Sequence, residues 1–392
     1  MRRVAIVGTG QTVCRTKRKD VNAPELVFEA TSAALSDCNL EPKDIDAVVF
    51  ASAPDAFEGV HAPDLWCADA AAAIGKPIMR INTGGETGGS WAFSGFHHVA
   101  SGMFDVVLVV AVQRVGESPE AQNILKTIWD PIYEKDFALN IITVMAQFAV
   151  RQMHRYGMTE EQMALVSVKN HLNALNNPYA HLRKKITTED VLKSRVLCWP
   201  IKLLDACPRS DGACAVVLAS EEKAEKITST PAWISGAGSC TNTYGSGNRL
   251  VDKEFDMADA GTASRAAQVA YRMAGIHNPR KQIDVAEVYT PFSSLEIATY
   301  EALRFCEKGQ GGKLIENGVT EMNGEIPVNP SGGVQTSNPI GATGLVRVAE
   351  AALQIMGKAE KRQVDGVRTA IATASGGGAM FYTAIILGKD KP

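Results

Sequence analysis

Short apolar runs alternate along this chain with longer stretches in which apolar residues recur every three or four positions. The run RRVAIVGTG near the start and the run FDVVLVVAV near residue 108 are typical of buried β-strands. Between them, PELVFEATSAALSDCNL spaces its apolar residues along one face of a helix. Strands that alternate with helices in this way predict an α/β fold.

A glycine-rich turn lies between a short apolar run and a predicted helix in residues 81–102, INTGGETGGSWAFSGFHHVASG. Two glycine pairs bracket Glu86 and Thr87: Gly84, Gly85, Gly88 and Gly89. Glycine permits backbone conformations and close approaches that other residues resist. Because a strand end meets a helix N-terminus here, the pattern indicates a ligand site. The alternative is that the glycines only allow tight packing of the helix on the strand.

The second half of the chain repeats the first. PAWISGAGS corresponds to RRVAIVGTG, and ASRAAQVAYRMAGIHNPRKQIDVAEVY corresponds to the first helix and the strand after it. A second glycine-rich turn follows in VNPSGGVQTSNPIGATG. The repeat predicts two similar α/β halves, residues 1–228 and 229–392, with an insertion at about residues 114–199. We expect the turns near residues 84–89 and 337–344 to face each other and to form a site where the halves meet.

Composition narrows the class of protein. The chain has 392 residues, of which 45% are apolar and 21% charged, as in a globular protein with a large core. A net charge of −3 gives no reason to expect nucleic acid or an anionic membrane as a partner. No apolar run reaches the roughly 20 residues that span a bilayer, and the start of the chain resembles a first strand more than a signal peptide. The eight cysteines form no CxxC pair, so we expect no metal site and a cytoplasmic location.

Four longer segments carry a family resemblance: YEALRFCEKGQGGKLIENG, IPVNPSGGVQTSNPIGATG, SDGACAVVLAS and NHLNALNNPYAHLR. Over essentially its whole length the chain resembles the thiolase superfamily, in the branch of archaeal acetoacetyl-CoA thiolases and sterol-carrier-protein-type thiolases. The resemblance implies a duplicated α/β thiolase fold, five-layered αβαβα, with a loop-domain insertion in the first half. It also implies a homodimer core, a CoA thioester substrate with coenzyme A as co-substrate, and often a small zinc-ribbon/OB-fold partner subunit.

The chain departs from this family at the catalytic positions. Gly85 stands in the place of the nucleophilic cysteine, and Tyr289, in YTPF, stands in the place of a histidine in HDxF. Asn338, in SNPIGATG, replaces the histidine of GHPxGATG. Where the family has a second cysteine or a glycine before GGG, the chain reads ATASGGG, and Gly376 begins the glycine run. A glycine cannot form an acyl-enzyme, yet the glycines that shape the site remain.

The remaining groups indicate chemistry without a cysteine. Cleavage of a 3-oxoacyl-CoA needs donors for the enolate oxygen, and we expect the amides of Gly85 and Gly376 and the side chain of Asn338 to supply them. Direct attack by the CoA thiolate would replace the acyl-enzyme, and Glu86 or Tyr289 would move the proton. The alternative for Glu86 is a carboxylate that caps the helix, and the alternative for Tyr289 is a core aromatic.

These expectations predict a thiolase-type acyltransferase that cleaves or forms a carbon–carbon bond in a 3-oxoacyl-CoA by a cysteine-independent retro-Claisen reaction. The loss of bulk at Gly85 suggests a bulky aryl or branched substrate such as benzoylsuccinyl-CoA. One alternative is a retro-aldol lyase that acts on a 3-hydroxyacyl-CoA without free CoA, and another is a non-catalytic subunit of a complex. Arg183, Lys184 and Lys185 face either CoA phosphates, a partner or only solvent. We expect Cys207 to pack rather than to react.

Overall fold

A computed structural model describes residues 1–52, 55–251 and 256–392. The strands are β1 (Val4–Gln11), β2 (Ala47–Ala51), β3 (Ile78–Ile81), β4 (Val106–Arg114), β5 (Val196–Cys198), β6 (Ile201–Lys202), β7 (Asp211–Ser220), β8 (Ala232–Thr241), β9 (Val285–Glu287), β10 (Thr369–Gly376) and β11 (Phe381–Gly388). β5 and β6 form a small hairpin, and the other strands form one sheet in the order β3-β2-β4-β7-β1-β8-β11-β10-β9.

Along the sequence, the helices lie mostly between these strands. They are α1 (Ala23–Asp37), α2 (Pro63–Cys67), α3 (Thr87–Ala100), α4 (Ala121–Leu125), α5 (Ile141–Tyr156), α6 (Glu160–Ala174), α7 (Thr188–Lys193), α8 (Glu221–Ile227), α9 (Ser246–Val251), α10 (Gly261–Ala274), α11 (Pro279–Gln282), α12 (Ser293–Ala302), α13 (Gly311–Glu316) and α14 (Ile340–Met356). No helix in the described ranges combines the length and apolarity needed to cross a membrane.

The strand order confirms the duplication. β2–β4 is a parallel pair that continues through antiparallel β7 to β1, and β9–β10 is a parallel pair that continues through antiparallel β11 to β8. Among the described residues, strands of the two half-sheets pair at the start of β1, where Ala5 and Ile6 pair with Trp233 and Ala232 of β8. Each half therefore repeats the same arrangement of strands on either side of this short seam.

The buried clusters show five layers. One face of the first half-sheet packs on α1, and its other face packs on a central layer formed by α3 and α14. The second half-sheet covers the far side of that central layer and packs its own outer face on α10 and α12. Every residue of α14 is buried, as expected for a helix enclosed on all sides. The αβαβα expectation is therefore confirmed.

The chain leaves the sheet between β4 and β7, where residues 115–210 carry α4 to α7 and the β5–β6 hairpin. The predicted insertion, at about residues 114–199, falls largely within this stretch. Apolar residues of α5 and α6, among them Phe148 and Met163, pack into the outer cluster of the second half. This stretch therefore covers the end of the second half-sheet at which β9 ends. Tyr289, one of the catalytic candidates, lies there, and Phe148 of α5 lines the same pocket.

Candidate active site

The N-termini of α3 and α14 meet at glycines. A Cβ atom at Gly88 would lie 2.4 Å from the backbone nitrogen of Leu345, and one at Gly344 would lie 2.7 Å from the nitrogen of Gly89. Real Cβ atoms do not approach other atoms so closely, so only glycine allows the two helix starts to touch. The two glycine-rich turns therefore face each other, as the repeat predicted.

Gly85, Tyr289 and Gly376 lie side by side at this junction. A Cβ atom at Gly85 would be 3.3 Å from the Tyr289 hydroxyl oxygen and 3.4 Å from the carbonyl oxygen of Ser375. A Cβ atom at Gly376 would be 2.9 Å from the Gly85 nitrogen, so the two glycine backbones are in contact. The structure thus brings a phenol against the position that a nucleophilic side chain would need.

Tyr289 is held in a buried position just beyond β9. Its side chain is largely enclosed, and its backbone N–H donates to the Thr373 hydroxyl on β10 at 3.0 Å. Burial raises the pKa of the Tyr289 phenol far above its ordinary value, and the neighbouring Cys207 adds to the increase. The phenol is therefore neutral at physiological pH and can donate a hydrogen bond or a proton.

Asn338 is held in one orientation by three contacts. The Thr343 hydroxyl donates to Asn338 Oδ1 at 2.8 Å, and the Asn338 backbone N–H donates to the Ser210 hydroxyl at 3.1 Å. Asn338 Nδ2 then donates to the sulfur of Cys207 at 3.0 Å. With Oδ1 bound to Thr343, the amide N–H groups are the part of this side chain that faces Cys207.

Cys207 therefore borders the site, which its sequence position did not reveal. The expectation that Cys207 packs rather than reacts gave no indication of this contact, because the CPRSDGA segment carries no catalytic spacing. Burial raises the pKa of the Cys207 thiol to about 11, so the thiol is protonated at neutral pH. Its position next to Asn338 nevertheless makes it part of the candidate active site.

The Glu86 side chain is buried in a cage of hydroxyl groups, with 1% of its surface exposed. Thr83 Oγ1 donates to Glu86 Oε2 at 2.6 Å, Ser90 Oγ contacts the same oxygen, and the Thr383 hydroxyl contacts Oε1. The alternative of a helix-capping carboxylate is wrong, because the Glu86 side chain makes no capping hydrogen bond to α3. Burial raises the Glu86 pKa, although the three hydroxyls oppose that effect.

A cavity that is partly open to solvent lies beside Tyr289 and Ser375. Its lining is mainly apolar and includes Phe148 from the insertion and Leu295 from α12. No cluster of potential metal ligands was found among the residues that the structure describes. The site therefore combines amide and phenol donors with an apolar cavity.

Family models match both halves of the chain. The model described as "Thiolase, N-terminal domain" matches residues 4–222, and "Thiolase C-terminal domain-like" matches residues 244–389. The chain belongs to the thiolase family. The resemblance drawn from the motifs is therefore confirmed.

Individual relatives agree with this assignment. An acetyl-CoA acetyltransferase of Methanothermobacter thermautotrophicus is 36% identical over 380 residues, which cover 96% of this chain and 97% of the relative. Sterol carrier protein 2 of Bos taurus is 30% identical over 400 residues, which cover 98% of this chain and 72% of that protein. Among solved structures, the Ltp2-ChsH2(DUF35) aldolase matches with a TM-score of 0.84 and 27% identity, over 99% of this chain and 98% of the matched chain.

Thr83, Ser90, Thr343 and Thr383 are site residues that sequence reasoning left without a role. Thr383 lies 297 positions from Glu86 and reaches it only because β11 passes beside the start of α3. A hydroxyl residue within a strand carries no signal of its own. Thr343 lies inside the GATG motif, so its position, though not its contact with Asn338, was visible in the sequence.

Proposed function

We propose that this thiolase-family protein is an acyltransferase that cleaves or forms a carbon–carbon bond in a 3-oxoacyl-CoA without an acyl-enzyme. The observation that carries the proposal is that Gly85 has no side chain to act as a nucleophile, and that the point where one would begin lies 3.3 Å from the Tyr289 hydroxyl oxygen. Free CoA then has to supply the nucleophile, and its thiolate attacks the keto carbon directly. The C–C bond breaks, and its electron pair forms the enolate of the second acyl-CoA.

The donors assigned to the enolate oxygen are the Asn338 amide and the backbone N–H groups of Gly85 and Gly376. The orientation that Thr343 imposes on Asn338 supports this role, because it directs N–H groups rather than the carbonyl toward Cys207 and the site. Fixed donors in a water-poor site stabilise developing negative charge strongly. Tyr289, neutral at physiological pH, is the donor nearest the position of the missing nucleophile.

The apolar lining of the cavity next to Tyr289 supports a hydrocarbon acyl group. Phe148, Leu295 and Met257 line it, and such side chains favour an aryl or branched hydrocarbon over a polar chain. A 3-oxoacyl-CoA with an aryl substituent, such as benzoylsuccinyl-CoA, has the required chemistry. We assign this substrate class as the first to be tested.

A retro-aldol lyase is the second candidate. The phenol in the place of a catalytic histidine and the similarity to the Ltp2-ChsH2(DUF35) aldolase favour it. In that reaction a 3-hydroxyacyl-CoA loses its hydroxyl proton, the C–C bond breaks, and an aldehyde or ketone leaves together with one acyl-CoA. No free CoA is consumed, and the same donors stabilise the same enolate.

We also propose a homodimer core and a small zinc-ribbon/OB-fold partner subunit. The support for the partner is the Ltp2-ChsH2(DUF35) match, because its name pairs a similar chain with a DUF35 protein. A third possibility, a non-catalytic subunit, would require that the arranged donors at Gly85 and Asn338 serve no reaction.

The test is product analysis by mass spectrometry. The protein, alone and together with a co-purified small subunit, is incubated with aryl 3-oxoacyl-CoA and 3-hydroxyacyl-CoA substrates, with and without free CoA. The proposal expects two acyl-CoA products that form only when free CoA is present. One acyl-CoA and a carbonyl fragment formed without free CoA would establish the lyase, and no product in any condition would favour the non-catalytic subunit.

The site assignment is tested with Tyr289→Phe and Asn338→Ala. Each removes one donor, and turnover should fall roughly ten- to a thousand-fold while the fold is retained. Tyr133→Phe, at a tyrosine that is 82% exposed, is the matched control and should keep wild-type turnover. Unchanged turnover in both site variants would remove the assignment of these donors.

A further inference from the structure

Glu86 Oε2 and the hydroxyl oxygens of Thr83 and Ser90 form a closed triangle. Thr83 Oγ1 lies 2.6 Å from Glu86 Oε2 and 2.7 Å from Ser90 Oγ, and Ser90 Oγ is in hydrogen-bond contact with the same Glu86 oxygen. The other carboxyl oxygen, Oε1, accepts from the Thr383 hydroxyl. Every side of the triangle is therefore a hydrogen-bond contact between two oxygens.

The number of hydrogens needed in this triangle indicates whether the Glu86 carboxyl group is protonated. Each contact at such a separation needs one hydrogen between its two oxygens, since two oxygens facing each other without one repel. The Thr83 and Ser90 hydroxyls bring one hydrogen each, which serves two of the three contacts. If Thr83 donates to Glu86 Oε2 and Ser90 donates to Thr83, the third hydrogen is carried by Glu86 Oε2, which then donates to Ser90 Oγ.

The surroundings of Glu86 agree with a neutral acid. Burial is the main influence on its pKa and raises it, and the hydroxyls of Ser90, Thr383 and Thr83 lower it by less. The elements packed against the carboxyl present small groups: Thr383 from β11 and Gly89 from α3, with Ala374 from β10 next to Gly89. Tyr289 is the titratable neighbour that senses the charge of Glu86, and burial keeps it protonated.

We propose that Glu86 is a protonated carboxylic acid in the resting protein and is the proton source of the reaction. This role rests on the proposed function. When the C–C bond has broken, the O–H bond of Glu86 breaks, and its proton passes to the enolate carbon, where a C–H bond forms. The resulting carboxylate is protonated again by the proton that the CoA thiol, or the 3-hydroxyl group of an aldol substrate, has released.

Infrared difference spectroscopy on the complete protein tests the protonation state without relying on activity. The difference between the wild type and Glu86→Gln at neutral pH should show the carbonyl band of a protonated carboxyl, shifted in D2O. Glu221→Gln is the matched control, because the pKa of Glu221 is lowered by Lys391 and Arg3, and its removal should leave that band unchanged. Absence of the band from the Glu86→Gln difference would overturn the proposal.

Glu86→Gln also tests the role of the proton. A glutamine N–H can replace the acid O–H in the triangle, so the variant should fold, while turnover falls about a hundredfold because an amide cannot release the proton. Unchanged turnover would overturn the role as proton source even if the infrared band is found. Failure of the proposed function gives a different result, because the wild type itself would then yield no C–C cleavage product.

The pH dependence of unfolding provides a second readout of the same state. The Glu86 pKa is higher in the folded chain than its ordinary value of 4.5. As pH rises through that ordinary value, only the unfolded chain loses this proton, so the wild type loses stability that Glu86→Gln retains. The stability of the variant relative to the wild type should rise with pH, and a decrease would overturn the neutral acid.

Discussion

At the level of single residues, a buried phenol lies beside Gly85, where the chain has no side chain. The Tyr289 hydroxyl lies 3.3 Å from the point where a side chain at Gly85 would begin, and burial keeps this phenol neutral. A neutral phenol is a weak nucleophile but a good donor. The residues around Gly85 therefore suit stabilisation of charge better than formation of a covalent intermediate.

Cys207 provides the sharpest test of a mechanism without a cysteine. In Cys207→Ser, the new hydroxyl can still accept from Asn338 Nδ2, so the orientation of the amide should persist. Turnover should change by about tenfold or less, as expected when one neutral hydrogen bond is altered. Steady-state kinetics with the cleaved substrate measure this effect.

The control is Cys306→Ser, at a half-buried cysteine in the outer cluster of the second half. Complete loss of turnover in Cys207→Ser, with Cys306→Ser active, would identify Cys207 as a relocated nucleophile. A thiol pKa of about 11 argues against that result, because little thiolate exists at neutral pH.

At the level of elements, the site depends on how closely α3 and α14 approach each other. Gly88 and Gly344 carry this contact, since a side chain at either would overlap the backbone of the other helix. The helix starts also bring Glu86 and Asn338 to the same junction, although these residues are far apart in sequence. The close approach of the helices is thus what assembles the site.

Gly88→Ala should therefore disrupt the fold rather than the chemistry alone. Its Cβ atom would lie 2.4 Å from a backbone nitrogen, which cannot move aside as a flexible side chain can. We expect the free energy of unfolding to fall by about 1–3 kcal/mol or more, as it does when extra atoms are forced into a packed core. Urea denaturation followed by circular dichroism measures this loss.

Gly247→Ala is the matched control, because a Cβ atom at Gly247 would meet nothing within 4 Å. Its free energy of unfolding should stay within about 0.5 kcal/mol of wild type. Equal stability of the two alanine variants would contradict the close contact of α3 and α14.

The sequence was sufficient to predict features that depend on patterns within short segments of the chain. The repeat and the glycine turns were visible because strand and helix periodicities and glycine positions recur in both halves, whereas the αβαβα order came from the resemblance of four segments to the thiolase superfamily. The Thr383 contact with Glu86 and the Cys207 contact with Asn338 were not visible, since they join segments 297 and 131 residues apart. Such contacts depend on the register of strands and the path of loops, which periodicity does not determine.

At the level of the whole molecule, a buried polar network connects the insertion, residues 115–210, to the second half of the chain. Lys169 of α6 forms an ion pair with Glu296 of α12, and its ammonium group donates to the carbonyl oxygen of Val328 at 2.9 Å. Glu296 also accepts from Asn170 and Asn329. Both charged side chains are almost fully buried, so neither can be hydrated if its partner is lost.

This network connects the fold to the site. The insertion contributes Phe148 to the cavity beside Tyr289, and α12 contributes Leu295. If the insertion separated from α12, the cavity would open to water while the glycine turns of the central layer stayed in place. Loss of the ion pair should therefore affect stability and substrate binding more than the arrangement of the donors.

Lys169→Met tests this attachment. Removal of the lysine leaves the carboxylate of Glu296 buried without its partner, and we expect a loss of about 3–5 kcal/mol in the free energy of unfolding.

Lys308→Met is the control, because the Lys308 side chain is 61% exposed in its pair with Asp259, and removal of such a pair costs about 1 kcal/mol or less. Lys169→Met/Glu296→Gln should recover part of the loss, since the neutral amide needs no counter-ion. If chemical denaturation gave equal losses for Lys169→Met and Lys308→Met, the buried pair would not be what holds the insertion in place.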